Sequence, residues 1–146
     1  MANSDDKYLK NYYRNQLINY QKQPVILSGK FKRIHDDHIT FTTIRPYIRG
    51  VKTVTLCNHV NLYRPEVESV IDINTLEYNH KYYIIAHCLP YRDSDRMGIR
   101  LATEYSFVPI VRAKNPDVIP EEAFEICQEF NADEYARGIK NSDELI

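Results

Sequence analysis

Tryptophan is absent from this chain, glycine occurs four times and cysteine three times. The glycines, Gly29, Gly50, Gly98 and Gly138, stand far apart, which excludes a glycine-rich loop of the kind that cradles nucleotide phosphates. Cys57, Cys88 and Cys127 are odd in number and scattered. They form neither a disulfide framework nor a metal-ligand repeat, and reduced thiols of a cytoplasmic protein are the simpler account. The longest apolar stretch, Tyr82 to Leu89, is interrupted by His87 and is too short to span a bilayer as a helix. The opening MANSDDKYLK has no apolar centre of signal-peptide type. No internal repeat or low-complexity tract is visible. The expectation is a soluble, cytoplasmic protein.

Twelve tyrosines and five phenylalanines supply the aromatic surface instead. Tyrosine suits half-buried sheet faces and contact surfaces, because it joins an apolar ring to a polar tip. At 146 residues the chain has the size of one domain with one core. Its charge is sorted along its length. Residues 1–65 hold 11 Lys and Arg against 4 Asp and Glu, a formal +7, and the remaining 81 hold 8 against 16, a formal −8. The net charge of −1 thus conceals a basic leading half suited to phosphate and an acidic trailing end suited to a basic partner.

Periodicity divides the chain into three parts: 1–24, 25–114 and 115–146. In the first, Ser4 is an N-cap candidate, and Leu9, Tyr12, Tyr13, Leu17 and Tyr20 form the apolar stripe of an amphipathic helix that Pro24 closes. The period then falls from 3.6 to 2. Val25, Leu27 and Phe31 alternate with Ser28, Lys30 and Lys32. After a polar turn at 35–37, Ile39, Phe41 and Thr43 alternate with Thr40, Thr42 and Ile44, so the two runs read as a hairpin. A third β-rich run covers Val51 to Tyr63, with Val54, Leu56, Val60 and Leu62 as burial candidates and a break at Asn58. Residues 66–78 read as a short helix or irregular connection. Tyr82 to Tyr91 reads as a strand. Tyr105 to Arg112 is the last strand, at an edge because of Pro109. Between these two, 92–104 reads as a polar loop with a short extension around Ile99 to Leu101. In the last part Pro120 opens a helix carrying Ala123, Ile126, Cys127 and Phe130, with Gly138 as its stop.

Five β segments with the longest insertion between the third and fourth describe a mainly β domain with flanking helices, a small Greek-key barrel. Gly29, inside an otherwise well-formed strand, marks a bend or a close approach of another segment. In strand order and in the position of this glycine, residues 25–112 resemble the OB-fold; an SH3-like barrel is the structural alternative. The stretches ITFTTIRPYI, TVTLCNHVNLY and LEYNHKYYIIAHCLPYR also resemble small OB-like proteins of phages and mobile elements. The basic barrel followed by an acidic end resembles single-stranded DNA-binding proteins, although NSDELI lacks their aromatic tip.

The resemblance implies a single-stranded DNA or RNA ligand held without strong sequence preference. Such a ligand requires cations along its backbone and rings on which bases stack. Lys30, Lys32, Arg33, Arg45, Arg49, Lys52 and Arg64, interleaved with Phe41, Tyr47 and Tyr63, supply that chemistry, with Tyr47 as the stacking ring. Arg92, Arg96 and Arg100 would close the groove from the loop joining the last two strands. The bland reading makes the rings core and the bases a solvated sheet edge. Glu125 and Glu129, on the acidic helix, are candidates for contact with a protein partner such as a host or replication protein. The rival function is accordingly a protein-binding inhibitor or adaptor that blocks a host nuclease or defence complex.

Catalysis and cofactors have little support. His35, Asp36, Asp37 and His38 have metal-hydrolase composition but join two strands, where a polar turn is the simpler reading. His87 and Cys88 are adjacent on a strand and face opposite ways, so they cannot share an ion without a bulge. No base or orienting group can be assigned to any cysteine. The expectation is a binding protein with no metal, no cofactor and no enzymatic activity.

Overall fold

The first strand, β1 (Val25–Ile34), is long because it serves two neighbours. It pairs antiparallel with β2 (His38–Pro46) over Leu27 to Ile34, and with β4 (Lys81–Pro90) over Val25 to Lys30. The computed structural model describes residues 17, 20–53, 55–90, 97–114 and 116–128. Within them β3 (Cys57–Tyr63) pairs with β2, and β5 (Met97–Leu101) pairs with β4, giving the strand order β3-β2-β1-β4-β5. β3 and β5 pack side by side. Among the described residues no ladder joins them, so the antiparallel barrel is nearly closed. Between β3 and β4 lies the insertion, comprising helix α1 (Arg64–Glu68) and a single helical turn at Ile73–Thr75. This is an OB-like arrangement: a meander would pair only consecutive strands, whereas β1 here sits between β2 and β4.

Gly29 is required by a close approach. A Cβ there would stand 2.7 Å from Ile44 Cδ1 and 3.4 Å from the Cβ of Phe41. Both side chains are fully buried, so neither can withdraw freely. Gly29→Ala is expected to cost about 1–3 kcal/mol through overpacking, read as a fall in urea midpoint at unchanged slope. An unchanged midpoint would show that this contact is slack.

The bend expected at Gly29 takes the form of two compensating bulges. Ser28 pairs with Arg45 and Lys30 with Thr42, so one residue of β1 faces two of β2, Thr43 and Ile44. Thr43 adopts a left-handed φ of 55°, an unusual setting for a β-branched residue. Further on, Phe31 pairs with Phe41 and Arg33 with Thr40, which makes Lys32 the extra residue of β1. The first bulge corrects the expected alternation. Ile44 turns inward with Ile39 and Phe41, and Thr43 does not. Opposite Thr43, the burial of β3 changes phase at Asn58, so that Cys57, Val60 and Leu62 all point inward.

The last β segments also need correction. The fifth barrel strand is Met97–Leu101, which lengthens the short extension expected around Ile99 to Leu101 inside a loop, while residues 105–109 are not strand. Ile110–Arg112 forms a short β6 on β4, off the barrel path, and among the described residues it pairs with no other strand, in keeping with Pro109 before it. β3 likewise begins at Cys57, after an irregular connection in which Gly50 supplies a φ of 72°.

Two cores result. The barrel interior holds Leu27, Phe31, Ile39, Phe41, Ile44, Val60, Leu62, Ile84 and Leu101, with Val67 and Ile73 of the insertion; Leu17 and Tyr20 are buried against it. Of the helix expected over 4–23, Gln21 to Gln23 are exposed and not helical, which corrects its end, and the remainder apart from Leu17 and Tyr20 lies outside the described residues. A second core forms outside the barrel, where Ile119, Ala123 and Phe124 cover Ile26, Tyr83 and Ile85. Phe124 and Ala123 belong to helix α2 (Glu121–Ile126), which Pro120 opens as expected. Cys127 is already extended and ends it, and residues 129–146 lie outside the described set.

Candidate nucleic-acid interface

Outward-facing positions of β1, β2 and β3 form one polar face of the barrel. Lys30, Lys32 and Arg33 are exposed along β1, and Lys32 Nζ lies 5.4 Å from the ring of Tyr78, itself 63% exposed. Thr40 and Thr42 of β2 point the same way, paired with Asn61 and His59 of β3, and Thr40 Oγ1 donates to Asn61 Oδ1 at 2.8 Å. Tyr63, also 63% exposed, pairs with His38 at the end of this face. Among the described residues no carboxylate forms an ion pair with Lys30, Lys32 or Arg33.

The other expected site residues lie elsewhere. Arg45 is half-buried, and its Nη1 donates to the Thr53 carbonyl at 3.4 Å, bracing the β2–β3 connection. Tyr47 packs edge-on to Tyr83, with centroids 5.2 Å apart, and also against Phe124 at 6.0 Å. Burial first, then the neighbouring Tyr47, raises the Tyr83 hydroxyl above its usual range. Arg49 donates to Glu121 at 3.2 Å, and its guanidinium lies 3.5 Å from the centroid of Phe124. Beside it a cleft of about 110 Å³ separates Ile48 from Cys127. Lys52 is exposed in the β2–β3 connection. Arg100 is on β5, not in a loop, and pairs with Glu66 at 3.3 Å. Phe41 is fully buried and offers no stacking surface. Glu125 is exposed on α2, whereas Arg92, Arg96 and Glu129 lie outside the described residues.

The structure therefore brings Lys30 and Lys32 together on one face and separates them from Tyr47 and Arg49, which contact Phe124 and Glu121 of α2. Arg33 joins that face because the Lys32 bulge turns two successive basic residues outward. Strand alternation marks Thr40 and Thr42 as outward. Nothing local marks Tyr78, which the turn before β4 delivers to Lys32.

The turn between β1 and β2 is held by side-chain contacts. His35 and His38 stack with centroids 4.1 Å apart, and Arg64 donates to the His35 carbonyl at 3.1 Å. The hydrogen bond with His38 holds the Asp37 carboxyl below its usual range. His87 and Cys88 face opposite ways, as the strand period requires. His87 bonds Glu104 on the outside, while Cys88 is buried inside, where burial pushes its thiol up to about 12. Such a thiol stays protonated at neutral pH and serves packing. No protein-family model matches this chain, and no curated protein matches it significantly.

Proposed function

We propose that this protein binds single-stranded nucleic acid, without strong sequence preference, on the outer face of β1–β2–β3. The observation that carries this reading is the exposure of Lys30, Lys32 and Arg33 without carboxylate partners among the described residues. Cations left unpaired on a face rich in hydroxyl and amide groups are what a phosphodiester backbone needs. Tyr63 and Tyr78, each 63% exposed, stand at the margins of this face as candidate rings for base stacking, Tyr78 with the Lys32 ammonium over its ring. They replace Tyr47, whose ring is engaged in the second core. Binding is the whole of the proposed activity; no catalytic step is part of it.

The test is a fluorescence-polarisation titration with labelled oligothymidylate at low and high salt. Each cation of this face that meets a phosphate contributes about −0.7 to the slope of log affinity against log salt, so Lys30, Lys32 and Arg33 together contribute about −2. Lys30→Glu combined with Arg33→Glu is expected to weaken binding by at least about tenfold at low salt. Absence of binding at low salt would end this reading. Recovery of a protein partner after nuclease treatment, lost on charge reversal at Glu125, would put the adaptor function in its place.

A further inference from the structure

We propose that the bound strand crosses the barrel at right angles to its β-strands, along the row Lys81–Lys30–Thr42–His59, with Lys81 as a phosphate contact. This inference rests on the single-strand reading above and specifies its path. Lys30 is the register partner of both Lys81 on β4 and Thr42 on β2, and Thr42 is that of His59 on β3. Directly opposed residues of antiparallel strands project to the same face. At about 4.8 Å between strands, the row spans roughly 14 Å.

The pairing of Lys30 with Lys81 is unfavourable by itself. Like charges directly opposed across strands repel. Both residues are exposed, and among the described residues neither has an ion pair. A phosphate seated between them removes the repulsion and uses both charges.

Acidic residues flank this face on two sides. On one side the second core closes the surface over Ile26, Tyr83 and Ile85 and presents Glu121, Glu122 and Glu125 at its rim. On the other side the β1–β2 turn carries exposed Asp36 and Asp37. The path therefore leads from β3 across β1 onto β4, away from Arg45, Tyr47 and Arg49.

The experiment measures binding of the full chain to labelled oligothymidylate of about 15 nucleotides between about 50 and 200 mM salt, together with thermal unfolding of each variant. Lys81→Gln is expected to weaken binding about three- to tenfold and to reduce the salt slope by about 0.7. Its thermal midpoint should hold or rise, because a repulsive pair is removed. Arg49→Gln and Arg100→Gln should leave the slope unchanged. If the wild type binds but Lys81→Gln leaves affinity and slope intact, the path is wrong and the single-strand reading stands. A fall in midpoint parallel to the loss of binding would make Lys81 structural and would also overturn the path. If the wild type does not bind, both proposals fall together.

Discussion

Phe41→Ala is expected to destabilise the barrel by about 3–5 kcal/mol, a large share of the about 5–15 kcal/mol that holds a typical domain together. The ring is fully buried and meets Phe31 edge-on at a centroid distance of 5.9 Å and Tyr82 at 6.0 Å. Those contacts bring side chains of β1, β2 and β4 to one point, and Gly29 beside them leaves no larger neighbour to fill the void. Equilibrium urea unfolding reads the effect. A loss below about 1 kcal/mol would mean that the interior collapses around the missing ring and that this aromatic cluster is not its centre.

A cost of about 2–3 kcal/mol is expected from Glu66→Ala, through a different cause. Ala102 donates to Ile85 across the β4–β5 ladder at 3.0 Å, so by antiparallel alternation the neighbouring Leu101 N–H points away from β4, toward β3. There no ladder forms among the described residues, and Glu66 Oε1 accepts that N–H at 2.6 Å while Oε2 accepts from Arg100 at 3.3 Å. One carboxylate from α1 thus closes the seam between β3 and β5. Its removal leaves a donor of a fully buried residue without its acceptor. Glu66→Gln keeps an acceptor oxygen and should lose less than Ala. Equal losses for Gln and Ala would assign the effect to the Arg100 ion pair. Hydrogen exchange at Leu101 is the direct readout of the seam.

How much of this was legible in the chain varies by element. The hairpin of β1 and β2 and the special status of Gly29 follow from local alternation and from one glycine out of place. The inward turn of Ile44 does not. It depends on a bulge at Thr43, a residue that any strand pattern accepts and that takes a positive φ opposite Gly29. Met97–Leu101 reads as loop with only a short extension around Ile99 to Leu101 because the strand is short and contains Gly98 and Arg100; its partner β4 and the Glu66 carboxylate make it a strand. Tyr47 and Arg49 have the right chemistry for a ligand, but Phe124 and Glu121, distant in sequence, occupy them first.

By itself the sequence determined the β-rich class, the glycine at the point of closest approach, the sorting of charge along the chain and the inward face of the first hairpin as far as Phe41. Each of these is a property of neighbouring residues, read by period or composition. Which cations share a face was decided only by tertiary structure. Lys30 meets Lys81 through the β1–β4 register, and Arg49 meets Glu121 through the packing of the second core. Register between strands distant in the chain is set by the burial of whole faces, and no local pattern of lysines and arginines encodes it.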